Sequence, residues 1–304
     1  MEPAFNYLQI VGAIFAALLG LAFGSFLNVV ISRLPQGESI ATPRSHCRNC
    51  DHTLAWWENI PLLSWLILKG RCHQCQAGIS ARYPLIELAI ATLWTIWAVY
   101  EFKDAHTISR IFSNPSLITP ALIVFAAHAI FFWLLVALAV LDAQHFWLPD
   151  RLTIPGIIIG LAFSMFMEWF YRLYHEIPLL SYLPRQVVER LMEILASAAI
   201  ILVIRLAYWL IRRQEGIGLG DAKLMAMLGA WLGLRGALES FALAIFGALI
   251  AALVWLAILA VRRKSSEWAK MSLPLGTFLC LGALTEIFYP NWLWTTWTHT
   301  FFNY

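Results

Sequence analysis

Long apolar runs broken by short polar stretches dominate the chain. A membrane-spanning helix takes about 20 mostly apolar residues. Runs of that kind cover roughly 8–31, 84–100, 120–141, 152–173, 190–211, 237–261 and 273–290, and a shorter Gly-rich segment at 222–236 adds an eighth. Between 34 and 83 the pattern changes to the one long soluble stretch. The pattern therefore predicts an all-α polytopic membrane protein with about eight transmembrane helices. Its expected parts are a first transmembrane helix over 1–33, a small loop domain over 34–83 and a membrane core over 84–304.

Composition agrees. Hydrophobic residues make up 61% and charged residues 13%, against about 45–50% and about 25% in soluble domains. Mean hydropathy is +0.71. A net charge of +3 is too mild for a nucleic-acid partner; the expected surroundings are a lipid bilayer. Basic residues choose the orientation. With the loops numbered in chain order, the odd ones carry 14 Lys and Arg and the even ones 6. The odd loops, including 34–83, are therefore expected in the cytoplasm and both termini in the periplasm. Arg172, Arg185 and Arg190 run against this rule.

Residues 34–83 hold four of the five cysteines, as Cys47-Arg48-Asn49-Cys50, then 21 residues, then Cys72-His73-Gln74-Cys75. Each CxxC turn aims two thiolates at one point, and two such turns complete a tetrahedron around Zn2+. A segment this short has little core of its own, so a metal would supply folding free energy. Four protein ligands leave no open position, which makes the expected role structural. Two disulfides are the alternative, as is a histidine, His46 or His73, in place of one thiolate. A cytoplasmic location disfavours disulfides. Cys280 lies alone in an apolar run and is expected to pack.

Ionisable residues in or beside spans are candidates for function. Asp142 ends the third span and Asp221 ends Gly216-Ile217-Gly218-Leu219-Gly220-Asp221, just before the short segment. Both fall at the expected cytoplasmic edge. Two carboxylates at one depth suit an aspartyl protease, in which the pair shares one proton and activates a water. Gly218 and Gly220 let the backbone lie close to a peptide. Asp221 also reads as a helix N-cap, as does Asp150. Asp142 does not, because a negative charge is disfavoured at a helix C-terminus. Glu87, Lys223 and Asp150 are further supporting candidates. Lys223 either tunes Asp221 or reaches lipid phosphate. Glu58 and Asp51 are weaker candidates for holding a basic peptide.

These residues resemble a known family. Gly218-Leu219-Gly220-Asp221 is similar to the GxGD signature of intramembrane aspartyl proteases. The set Gly24-Ser25-Phe26-Leu27-Asn28, Arg33-Leu34-Pro35, Trp57-Glu58-Asn59-Ile60-Pro61, the two CxxC pairs, Arg82-Tyr83-Pro84 with Glu87, Leu148-Pro149-Asp150 and Pro274-Leu275-Gly276 resembles the bacterial type IV prepilin leader peptidase/N-methyltransferase family, in the same order from about 20 to 285. The resemblance implies an inner-membrane enzyme that cuts a short basic leader after a glycine. Its implied substrates are type 4 prepilins and type II secretion pseudopilins, and Asp142 and Asp221 carry over as the catalytic pair. It also implies methylation of the new N-terminus with S-adenosylmethionine. The chain departs from the family pattern at Arg48, Leu275 and Thr277, where proline, phenylalanine and proline are usual. Two other readings stay open: an intramembrane protease of the signal-peptide-peptidase type, and a transporter using Glu87, Asp142 and Glu168 as a proton path.

Overall fold

The structure, a computed structural model, describes residues 2–101, 117–174, 183–214, 216, 218–261 and 273–290. Lys103, Arg110, Arg262, Arg263, Lys264 and Lys270, counted above for orientation, lie outside them. Helix α1 runs Glu2–Arg33. The loop that follows contains a short α2, Leu63–Ile67. Then come α3 (Arg82–Glu101), α4 (Ile118–His145), α5 (Asp150–Tyr174), α6 (Leu183–Arg212), α7 (Leu219–Val261) and α8 (Leu275–Phe288). Among the described residues there is no strand beyond two isolated bridges in the loop. Hydrocarbon offers backbone groups no hydrogen bonds, so apolar runs satisfy theirs internally as helices. Six of the helices are long and apolar enough to cross a membrane, and α8 is apolar but shorter. The chain is a multi-pass membrane protein.

The expected segments 222–236 and 237–261 fall in one helix, α7. Its 43 residues would stretch about 64 Å if straight, about twice the hydrocarbon core. Gly233 breaks it, with φ 74° and ψ 174°. Only glycine takes this backbone readily. Space is also short, since a Cβ there would lie 3.2 Å from Nη1 of Arg190 and 3.4 Å from Oε2 of Glu193. The described residues thus give six spanning-length helices and one short one. The expected count of about eight is not confirmed, and the break lies at Gly233 rather than between 236 and 237.

Residues 1–137 and 138–304 form two compact units, divided within α4. In the first, α1 meets α3 backbone to backbone. A Cβ on Gly20 would stand 2.6 Å from the Ala91 Cα, and one on Gly24 would stand 2.6 Å from the Glu87 Cα. Glycines four apart share one helix face, and this is how apolar helices approach closely without a hydrophobic driving force. Indole N–H groups find backbone acceptors: Trp94 Nε1 donates to Ala129 O and Trp133 Nε1 to Phe23 O, both at 3.1 Å.

In the second unit α7 is central. The Trp231 ring lies against Gly160, and its Nε1 donates to Gly156 O at 2.9 Å. Gly282 of α8 sits against the Ser240 carbonyl, where a Cβ would be 2.3 Å away. Leu224, Met225, Met227 and Leu228, before the break, are fully buried, whereas Phe246, Leu249, Ile250 and Leu253, after it, are exposed. An exposed apolar face of this kind suits lipid.

Substituting Gly24→Ala should push α1 away from α3 and lower stability by about 1–3 kcal/mol. The check is the unfolding midpoint of purified protein in detergent. An unchanged midpoint would show that the helices do not depend on this contact.

Candidate functional site

Asp142 lies near the end of α4 and is 5% exposed. Its carboxylate meets the start of α8. Thr277 N donates to Oδ2 at 2.7 Å, and the Gly276 N–H also points at the group. Free N–H groups of a first helical turn favour an anion, which offsets the unfavourable position at the end of α4. The Thr277 hydroxyl stands 3.3 Å from the same Oδ2 but 2.9 Å from Ala139 O. It has one proton, and the nearer carbonyl is the better acceptor. The N–H is therefore the main tie from Thr277. At Gly276 a Cβ would sit 3.0 Å from the Asp142 Cγ, so a larger residue there would have to displace the carboxylate.

Asp221 lies in the first turn of α7, with the Gly218 N–H directed at it and the Asp142 charge within electrostatic range. Leu148 links the two segments. A Cβ on Gly220 would lie 3.0 Å from the Leu148 Cβ, and one on Gly276 would lie 3.0 Å from its Cδ1. Leu148 reaches this place because α4 stops at a residue of positive φ. Phe146 takes φ 50° and its N–H donates to Asp142 O at 2.9 Å. The structure thus brings Asp142, Asp221, Gly218 and Gly220 together. Lys223 neither contacts Asp221 nor stands free: its Nζ pairs with Asp150 Oδ1. This ties the start of α5 to the start of α7 through an exposed pair that contributes little to stability.

In the first unit the sulfurs of Cys47, Cys50, Cys72 and Cys75 all lie within 4.8 Å of one another. Cys47 and Cys75 are 3.8 Å apart, Cys50 and Cys72 4.0 Å. All four thiols are free, which sets aside the two-disulfide alternative. Tetrahedral ligation at about 2.3 Å requires sulfurs about 3.8 Å apart, so the four thiols fit a metal ion. The two CxxC turns are built alike. The first cysteine's N–H donates five residues on, Cys47 to His52 O and Cys72 to Ala77 O, at 2.9 and 2.8 Å. Asp51 and Gln76 donate back to Cys47 O and Cys72 O, with φ of 55° and 59°. The Ala77 N–H and the Asn49 amide bring the Cys75 thiol down to about 6, favouring the thiolate that metals bind. His46 and His73 are not part of the cluster.

Glu87 is buried and accepts the Leu62 N–H at 2.8 Å and the Ser25 hydroxyl. Leu62 is held at φ 59°, ψ −50°. Glu87 therefore fastens the cysteine loop to α1 and α3. Glu58, a candidate for holding a basic peptide, is buried, 6% exposed. Its Oε2 accepts from Ala55 N at 2.7 Å and pairs with His52 Nε2 at 3.1 Å. Burial opposes ionisation, yet these partners outweigh it and hold the carboxyl below the ordinary carboxylate value.

Sequence reasoning missed Thr277 and Leu148 as parts of the carboxylate site. The signal was present for one of them: Pro274 directly before an apolar run marks a helix start, where a buried anion finds its N–H partners.

Residues 18–102 match the bacterial peptidase A24 N-terminal domain, and residues 129–256 match the type IV leader peptidase family. A prepilin leader peptidase/N-methyltransferase of Myxococcus xanthus is 38% identical over 228 residues, covering 74% of this chain and 58% of that protein's length. One from Aeromonas salmonicida is 36% identical over 263 residues, covering 76% and 78%. One from Pseudomonas putida is 30% identical over 316 residues, covering 96% and 93%. No solved structure matches the chain.

Metal analysis of the purified protein is expected to return about one ion per chain, bound by the four thiols. Cys72→Ser should lose it, and the loop should become open to limited proteolysis while the helices stay intact. A metal-free wild type with a protease-resistant loop would refute this.

Proposed function

The chain belongs to the type IV leader peptidase family, and from that premise we propose that it removes the leader from type 4 prepilins and type II secretion pseudopilins. Asp142 and Asp221 are the catalytic pair. The active site faces the cytoplasm at the inner membrane of a bacterium, with both chain termini in the periplasm. The cysteine cluster holds a structural Zn2+. The same chain methylates the new N-terminus, as the names of its relatives suggest. The observation that carries the reading is the meeting of Asp142 and Asp221 around Leu148, at the ends of helices far apart in sequence.

In the mechanism one carboxylate is ionised and the other protonated. The ionised member takes a proton from water as its oxygen adds to the scissile carbonyl carbon. The protonated member gives its proton to the carbonyl oxygen. The tetrahedral intermediate then collapses: the C–N bond breaks as the leaving nitrogen takes the proton that the first carboxylate drew from water and becomes the new amino terminus, while a hydroxyl of the intermediate returns a proton to the second carboxylate and a carboxyl group is left on the leader. The Thr277 N–H fixes one oxygen of Asp142 throughout, leaving the other to face the water. The bare backbone at Gly218 and Gly220 gives a glycine-containing peptide room to approach. A site at the membrane edge receives the boundary between a charged leader and an apolar helix without drawing charge into hydrocarbon. S-adenosylmethionine, when bound, supplies a methyl group on a cationic sulfur.

Asp142→Asn and Asp221→Asn are each expected to cut leader removal by about 10²–10⁴-fold, read as a gel shift of co-expressed prepilin, with the protein still in the membrane. Normal processing by either variant would remove that residue from catalysis. Thr277→Val keeps the N–H, so its kcat/KM should fall less than about tenfold.

A further inference from the structure

Residues 56–68 are the least polar part of the cysteine loop. Their only ionisable member is Glu58, which is buried. The segment does not stand clear of the helices. Trp56 and Pro61 line one cleft with Ala22 and Phe26 of α1. Ala22 lies eleven residues before Arg33, the end of α1, which is about 16 Å along the axis. The Leu62 N–H donates to Glu87 Oε2 at 2.8 Å, and the same carboxylate accepts the Ser25 hydroxyl. Loop backbone thus reaches the level of α1 at which Leu18, Phe23 and Phe26 are exposed. These are outward side chains of a helix long and apolar enough to span a membrane.

At Leu62 the chain turns through φ 59° and ψ −50°, a backbone that leucine adopts only when its surroundings impose it. The turn starts α2, and α2 has two unlike sides. Trp65 faces inward: its Nε1 donates to Ile79 O at 3.1 Å, and its ring packs on Gly70. Leu63, Leu66 and Ile67 share the other side and are 54%, 61% and 70% exposed. Trp56 is 77% exposed. A contiguous apolar surface of this kind marks a contact with something apolar. A short helix with one apolar face rests in the boundary layer of a bilayer with that face among the acyl chains, and tryptophan is enriched at the same depth. Lys69 and Arg71, both exposed, follow α2 directly and can extend toward the headgroups.

We propose that residues 56–68 are embedded in the bilayer interface, with Leu63, Leu66 and Ile67 of α2 in contact with lipid. The occupant of this face is the bilayer, because the face continues the lipid-facing surface of α1 and offers no charge for a soluble partner to pair with. The metal-bearing loop is then held at a fixed depth by α2, and the bond from Leu62 to Glu87 anchors that foot to α3. This inference stands apart from the peptidase reading, since it concerns the protein and lipid alone.

The test measures depth. Cys280 is fully buried, and metal occupies the four loop thiols, so a cysteine introduced as Leu66→Cys or Ile67→Cys can be labelled alone with an environment-sensitive fluorophore. The full metal-loaded chain is placed in phosphatidylcholine vesicles without prepilin, and metal content equal to wild type identifies chains with an intact loop. Quenching by nitroxide-bearing phosphatidylcholine should be at least about threefold stronger at both positions than for the same label at Glu38→Cys, an exposed site in the same loop, and iodide on both sides of the membrane should give the opposite order. Labels at 66 and 67 that iodide reaches and the lipid quencher does not would overturn the proposal. Shielding that appears only on adding prepilin would overturn it in favour of a peptide site. Shielding that grows with the protein-to-lipid ratio would overturn it in favour of a contact between copies.

Discussion

A carboxylate buried in a membrane protein needs donors, and the placement of Asp142 answers that need. The first-turn N–H groups of α8 supply them, the missing Cβ of Gly276 makes the approach possible, and Leu148 packs over the same spot. Take away the N–H groups and the charge has no counterpart in an apolar interior. Add a side chain at Gly276 and the carboxylate is pushed from the helix start. The position of Asp221 follows from the same contact, because Gly220 rests on Leu148. One close approach thus sets the relation of three helix ends.

The cysteine loop solves a different problem. It is too short to fold on apolar burial alone, and two of its turns use a backbone conformation that Asp51 and Gln76 adopt only at a cost. Four thiols directed at one point overcome that cost when a cation is present. The loop is not independent of the membrane part, since the Leu62 N–H is held by Glu87. A thiol cluster with no open position is thereby connected mechanically to α3.

Much of this was legible in the residues. Apolar runs marked the helices because only helices satisfy backbone groups in lipid. The thiol cluster was legible because CxxC spacing dictates where sulfurs point. Asp142 and Asp221 stood out as charges placed where charge is expensive. The break in α7 was half visible: hydropathy marked two segments, but only the conformation of Gly233 shows how they join. Thr277 was half hidden because its contribution comes through a backbone N–H, marked in the sequence only by the helix start after Pro274 and by its standing where the resembled family usually has proline, which has no N–H. The surroundings of Glu58 were hidden for a related reason: nothing in its neighbours' identities announces that His52 and the Ala55 N–H enclose it.

The bond from Asn28 to the Tyr83 carbonyl joins the end of α1 to the start of α3. Gly24 and Glu87 keep the two helices in contact at the same level. The points where the intervening stretch departs and returns are therefore neighbours before any of it folds. Closing the gap between such adjacent ends with a tight connector would demand little entropy, but it would strip the buried Glu87 of its Leu62 donor. Loss of the loop therefore calls for a compensating change at Glu87, the one carboxylate of α3 that the loop's backbone satisfies.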